Sequence, residues 1–158
     1  MERVRPTLAI GVCYRDPRAA LAWLERAFGF ETTMVVENAD GSIGHSEMCF
    51  GRNGLVMVGR EWDEFHRSPA SIGGVNTQSL HIHLDDHEDL DTHYRRAIEA
   101  GARTLREPAD QFYGDRAYMV VDPEGHQWSV SRTIKAMTLE EMSKAGGVKV
   151  RERLQESR

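Results

Sequence analysis

The chain has 158 residues, 40% of them hydrophobic, which matches one globular domain with a substantial core and excludes two full-sized ones. Its 20 Lys and Arg against 25 Asp and Glu leave a formal charge of −5, so no basic face is predicted for a phosphate backbone and nucleic acid is not an expected partner. No apolar run approaches the ~20 residues of a membrane helix, and the N-terminal MERVRPTLAIG lacks the apolar core of a signal peptide. The expectation is a soluble, cytoplasmic protein with no membrane partner, in which Cys13 and Cys49 are free thiols.

Hydrophobic period organises the chain into two similar halves. Residues 7–14 (TLAIGVCY) alternate as a strand, with Leu8, Ile10, Val12 and Tyr14 on one face. Asp16 caps a helix that has Pro17 at its first position, an apolar stripe of Ala20, Trp23, Leu24, Ala27 and Phe28, and Gly29 as its stop. Extended runs at 32–37, 42–50 and 55–59, separated by turns at Asp40-Gly41 and Gly51-Arg52-Asn53-Gly54, complete a strand, helix and three-strand meander. The order then repeats. Residues 79–86 (SLHIHLDD) alternate, a helix is predicted over about 87–100 behind Asp86, and strands are predicted at about 103–106, 115–122 and 126–132. The reading is one α+β domain of two pseudo-symmetric βαβββ modules: module one at about 5–60, a linker or lid at about 61–78, module two at about 79–133 and a helical tail at about 137–158. Thr138 and Glu141 form a capping box that opens the tail helix, and the charged end of the tail is expected to fray or pack on a neighbouring subunit.

Four segments, YRDPRAALAWLERAFGFE (14–31), HSEMCFG (45–51), SLHIHLDDHEDLDTHYRRAIEAGA (79–102) and YGDRAYMVVDPEGHQWSV (113–130), together resemble the vicinal-oxygen-chelate superfamily. That superfamily includes glyoxalase I, extradiol dioxygenases, fosfomycin-resistance enzymes and bleomycin-resistance proteins. The resemblance is nearest to its glyoxalase and bleomycin-resistance branch, and implies an eight-stranded paired-module barrel around a cavity, commonly as a homodimer. In the superfamily's enzymes it also implies one divalent metal held by a residue from each of four strands. Carried onto this chain, the four ligand positions fall on Ala9, Ser79, Ser129 and either Met57 or Val58, none of them a His or Glu. The usual metal site is therefore expected to be absent.

Strand alternation indicates which side chains line the cavity instead. Ser79, His81 and His83 lie opposite Leu80, Ile82 and Leu84, and Gln127, Ser129 and Ser131 lie opposite Trp128 and Val130. His45 and Glu47 share a face of an earlier strand. His81 and His83, ~7 Å apart along a strand, suit hydrogen bonding to a polar or anionic ligand near neutral pH. The alternatives are a relocated metal site built from His45, Glu47, His81 and His83, or a role as wall residues. Trp62 and Phe65 in the linker are candidates for stacking on a planar ligand, and Tyr113 in the YGDR turn is a further candidate contact. His126 is expected to be half exposed, and His87 and His93 solvated. The ligand-binding set is thus His81, His83, Ser79, Glu47, Ser129, Trp62, Phe65 and Tyr113, around a small molecule bound without a metal cofactor. The other functional reading is a metal-dependent glyoxalase-like lyase or dioxygenase.

Overall fold

The computed structural model describes residues 5–153. Module one comprises β1 (Ile10–Tyr14), α1 (Pro17–Phe28), β2 (Glu31–Glu37), β3 (Ile43–Phe50) and β4 (Gly54–Arg60). Module two comprises β5 (Leu80–His83), α2 (Leu90–Glu99), β6 (Arg103–Asp110), β7 (Asp115–Val121) and β8 (Gln127–Thr133), and α3 (Leu139–Gly146) follows. Each module makes a four-stranded sheet, in the orders β1-β4-β3-β2 and β5-β8-β7-β6. The pseudo-symmetry extends to register. Ile10 lies opposite Val56 in the parallel β1–β4 pair, as Leu80 lies opposite Trp128 in β5–β8. The paired-module α+β architecture is as expected, but the two sheets stay separate instead of closing into one barrel.

Asp16 caps α1 through Ala19 N, and Gly29 ends it at φ 81°. Beyond Gly29 lies α2, so a Cβ added there would stand 2.5 Å from Arg96 Nη2. Strands β1 and β5 are shorter than the runs 7–14 and 79–86 read from sequence, and two further boundaries differ for a visible reason. Helix α2 begins at Leu90 behind the cap Asp89, because residues 85–88 close a turn (Glu88 N to Asp85 O, 3.0 Å) before the helix can start. Strand β6 runs on to Asp110, its irregular register between Arg106 and Ala109 accommodating Pro108 on an edge strand. Residues 154–158, the end of the charged tail expected to fray or pack on a subunit, lie outside the described residues.

One core serves both modules. The helix-facing sides of the sheets, Val12, Met48 and Val58 in one and Leu80, Val120 and Val130 in the other, join Leu24 and Phe28 of α1 in a single buried cluster. Helices α1 and α2 pack together, and Trp23 Nε1 donates to Ala100 O (2.7 Å) while Arg96 Nε donates to Arg26 O and Ala27 O (3.0 and 3.2 Å) at the C-terminus of α1. His93, expected to be solvated, is instead 7% exposed and lies parallel to the Phe28 ring. Its Nε2 faces Phe28 O (3.1 Å), which can only accept, so Nε2 carries the proton and Nδ1 accepts from the Tyr118 hydroxyl (2.8 Å).

The Asp122-Pro123-Glu124-Gly125-His126 turn forms the second joint between modules. The Asp122 carboxylate accepts from Tyr14 OH (2.6 Å), Trp128 Nε1 (3.1 Å) and the backbone N–H groups of Glu124 and His126 (3.0 Å each). Glu124 accepts from the backbone of Arg15 and Asp16 (2.7 and 3.0 Å) at the start of α1. His126, expected to be half exposed, is 5% exposed and bonds through Nε2 to Cys13 O (2.7 Å). These histidines are buried because the modules meet over them, a contact that no local period reveals.

Candidate functional site

Each sheet presents a second face, away from the helices. In module one, alternation against the buried Val12, Met48 and Val58 places Gly11 and Cys13, His45, Glu47 and Cys49, and Met57 and Gly59 on that open face. The linker folds over one end of it. A cleft of about 810 Å³ results, floored by Gly11, Cys13, Met57 and Gly59 and walled by Trp62, Phe65, His66, Ile72 and Val75. The floor is low because two of its strand positions are glycines: a Cβ at Gly59 would meet nothing within 4 Å, and one at Gly11 only Met57 Cε at 4.0 Å.

The linker wall is tied down by polar contacts. Ser68, fully buried, caps the short 3₁₀ turn Pro69–Ser71 and donates to Glu124 Oε1 (2.7 Å). Asn76 Nδ2 donates to Gly125 O (2.8 Å), and Asp63 closes a turn by accepting from Phe65 N and His66 N (2.8 and 2.7 Å). Trp62 stacks on His66 with ring centroids 4.2 Å apart, yet Trp62 and Phe65 remain 68% and 83% exposed. Both cysteines are free thiols, and the Cys13 thiol is held above its ordinary pKa by burial first and then by the charges of Glu61 and Asp63.

His81 and His83 line a different cleft, of about 450 Å³, with Phe30, Phe50, Leu55, Asp85 and Glu88. His81 Nε2 stands 3.1 Å from Ser131 Oγ, and partial burial, reinforced by the charge of His83, lowers its pKa. His83 Nε2 bonds Thr133 Oγ1 (3.1 Å), whose hydroxyl donates to Asp115 Oδ1 (2.8 Å). The hydrogen-bond partners are therefore Ser131 and Thr133. Ser129 faces His81 across the β5–β8 pair, and Ser79 is exposed just before β5. Within one chain the linker aromatics and the two histidines line separate clefts, one beside each of the two separate sheets.

The remaining candidates are set differently. Glu47 is 2% exposed, with His45 Nε2 at 3.3 Å and Arg5 Nη2 at 3.2 Å. Tyr113 lines neither cleft; its ring packs edge-on against Phe112 in the β6–β7 turn. That turn is a structural device. Gly114 has φ 94°, its carbonyl accepts from Ile134 N and Lys135 N, and a Cβ there would stand 2.1 Å from Lys135 O. Arg116 reaches Asp91 of α2 (2.8 Å) and Asp110 (2.7 Å).

The donor set does not fit the divalent metal implied by the resemblance. The four positions offer a methyl, two hydroxyls and the thioether of Met57, Val58 being turned into the core. The relocated set is divided within one chain, His45 and Glu47 standing on β3 of one sheet and His81 and His83 on β5 of the other. Among the described residues no group of three or more His, Cys, Asp or Glu side chains is gathered in a geometry that could hold a metal.

The cleft floor and the linker residues Ile72, Val75 and His66 escaped the sequence reading. The signal for the floor was present: glycine inside a strand, as at Gly11 and Gly59, marks a place where something approaches the backbone closely.

Two paired βαβββ modules with open sheet faces and a linker-walled cleft define a class of protein, and sequence comparison agrees. Residues 8–130 match the family model of the Glyoxalase/Bleomycin resistance protein/Dioxygenase superfamily, and the chain belongs to that family. It is 32% identical to TioX from Micromonospora sp. ML1, whose crystal structure superposes with a TM-score of 0.65 over 83% of this chain and 99% of that one. TnmS3, an antibiotic binding protein from Streptomyces sp. CB03234, shares the fold at 19% identity and a TM-score of 0.62, over 84% of this chain and 98% of that one. An uncharacterized protein of Mycobacterium tuberculosis is 28% identical over 147 residues, 90% of this chain and 83% of its own length. No helix among the described residues is long and apolar enough to cross a membrane.

Proposed function

We propose that the chain binds and sequesters a small organic molecule, without a metal, in the 810 Å³ cleft between the open face of module one and the linker. The observation that carries this reading is the pair Trp62 and Phe65, held by a hydrogen-bonded linker over a glycine floor and left uncovered. Apolar side chains of that size normally find burial, and a planar ligand would supply it. The shared fold of an antibiotic-binding protein supports the same reading. His81 and His83 offer a second, smaller polar site in module two. The free thiols Cys13 and Cys49 suit a reducing cytoplasm.

Trp23 and Trp128 are buried, so Trp62 is the tryptophan whose emission a cleft ligand changes. Screening aromatic small molecules, antibiotics included, by tryptophan fluorescence is expected to yield a binder whose signal disappears in Trp62→Ala. Its affinity should fall about tenfold in that variant, measured by calorimetry, and should be unchanged by a chelator. A binder of full affinity in Trp62→Ala, or one lost on chelation, defeats the proposal.

The protein is further proposed to be a homodimer. Helix α3 buries none of its residues, its Leu139 is exposed, and so are Phe112, whose ring lies against Gly146, and Val148 just after the helix. Sedimentation at micromolar concentration should show twice the 17.9 kDa chain mass, reduced on deleting residues 137–158. A 17.9 kDa species of the intact chain contradicts it.

A further inference from the structure

We propose that the linker-walled cleft selects an anionic flat aromatic molecule, its ring on Trp62 and Phe65 and its negative group on Arg60. This rests on the binding reading above and adds the chemical class of the ligand.

The charge around the cleft carries the inference. In a chain of net charge −5, no Asp or Glu lines this cleft, whereas Arg60, Arg67, His45 and His66 do. The carboxylates that stand closest are already engaged. Glu61 accepts from Ser68 N (2.8 Å) and Arg67 Nε (3.2 Å), and Asp63 from Phe65 N, His66 N and the His66 ring (2.8, 2.7 and 2.9 Å). His45 is hydrogen-bonded to Glu47. Arg60, at the end of β4, makes no ion pair within 4.0 Å among the described residues; the charge of the surface carboxylate Asp40 reaches it only at longer range, so its guanidinium can still take an incoming anion.

Shape supplies the other half. Gly11 and Gly59 leave the sheet floor without side chains, and Trp62 is oriented by its stack on His66 at 29° between planes. A flat ring enters between floor and wall, where a branched aliphatic of equal area would lose the aromatic contact. Asn38 and Gln78, also in the lining, are uncharged and each keeps one amide N–H for a further oxygen, whereas both amide hydrogens of Asn76 are spent on Gly74 O and Gly125 O.

Three probes of one shape and different charge test this on the full chain: 2-naphthoate, 2-naphthylmethanol and 2-naphthylmethylammonium, titrated by calorimetry. Naphthoate is expected to bind about tenfold tighter than the neutral alcohol and tighter still than the ammonium. Arg60→Gln should erase that preference while leaving the alcohol unchanged, and Trp62→Ala should weaken all three. Equal affinities that still depend on Trp62 overturn the anionic preference and leave the cleft as a binding site. A preference for naphthoate that survives Arg60→Gln overturns the role of Arg60. No Trp62-dependent binding of any probe at millimolar concentration removes the binding reading and this inference together.

Discussion

Replacing Asp122 by Ala is expected to lower the unfolding free energy by about 3–5 kcal/mol, the range for removing one partner from a buried charged network. The loss is large because the carboxylate is only 4% exposed and satisfies four donors at once. Two of these, Tyr14 OH and Trp128 Nε1, are buried side-chain groups that water cannot reach, and Tyr14 belongs to the other module. Asp122→Asn should lose about 2 kcal/mol, since one amide oxygen replaces two carboxylate oxygens and its NH₂ cannot accept from the Trp128 N–H. Tyr14→Phe removes one donor and should cost about 1 kcal/mol. Urea unfolding of the three variants checks the order. If Asp122→Ala unfolds within 1 kcal/mol of wild type, about the worth of one ordinary hydrogen bond, the joint is not what holds the modules together.

Acid should destabilise the protein through His93 well above the pH where carboxylates titrate. Burial drives its pKa down from 6.5 to about 4, helped by the charge of Arg96 and opposed by the Phe28 carbonyl. The folded protein therefore holds the neutral ring, whereas the unfolded chain takes up a proton as pH falls through about 6.5. Stability from this residue is complete above pH 6.5, declines below it and levels off under about pH 4. Between pH 7.5 and 4.5 the loss attributable to His93 should be about 2.5 kcal/mol. His93→Gln, which keeps a donor for Phe28 O and does not titrate, should be less stable at pH 7.5 and show a shallower decline. Parallel curves for the two proteins from pH 7.5 to 4.5 would show that the ring is not held neutral by its burial.

The two modules, their element order and most helix ends were legible in the sequence because each follows from local chemistry. Alternation along 7–14 and 79–84 defines strands, Asp16 and Pro17 start α1, Gly29 stops it, and Thr138 with Glu141 opens α3. The family resemblance was legible for the same reason, since its motifs are those turns and caps. The same alternation separated the core side chains Leu80, Ile82, Trp128 and Val130 from the open face that carries His81 and His83. What period cannot encode is which surfaces meet across distant parts of the chain. His93 and His126 look like solvent-facing polar residues in sequence, and only the meeting of the modules desolvates them. Asp122 and Tyr14, separated by 108 residues, share a hydrogen bond that only the packed modules create. The division of the candidate residues into two clefts has the same origin. Trp62 and Phe65 lie in a linker whose path is set by the contacts of Ser68 and Asn76 with the 122–126 turn, and the two sheets, which remain separate, keep that wall apart from His81 and His83.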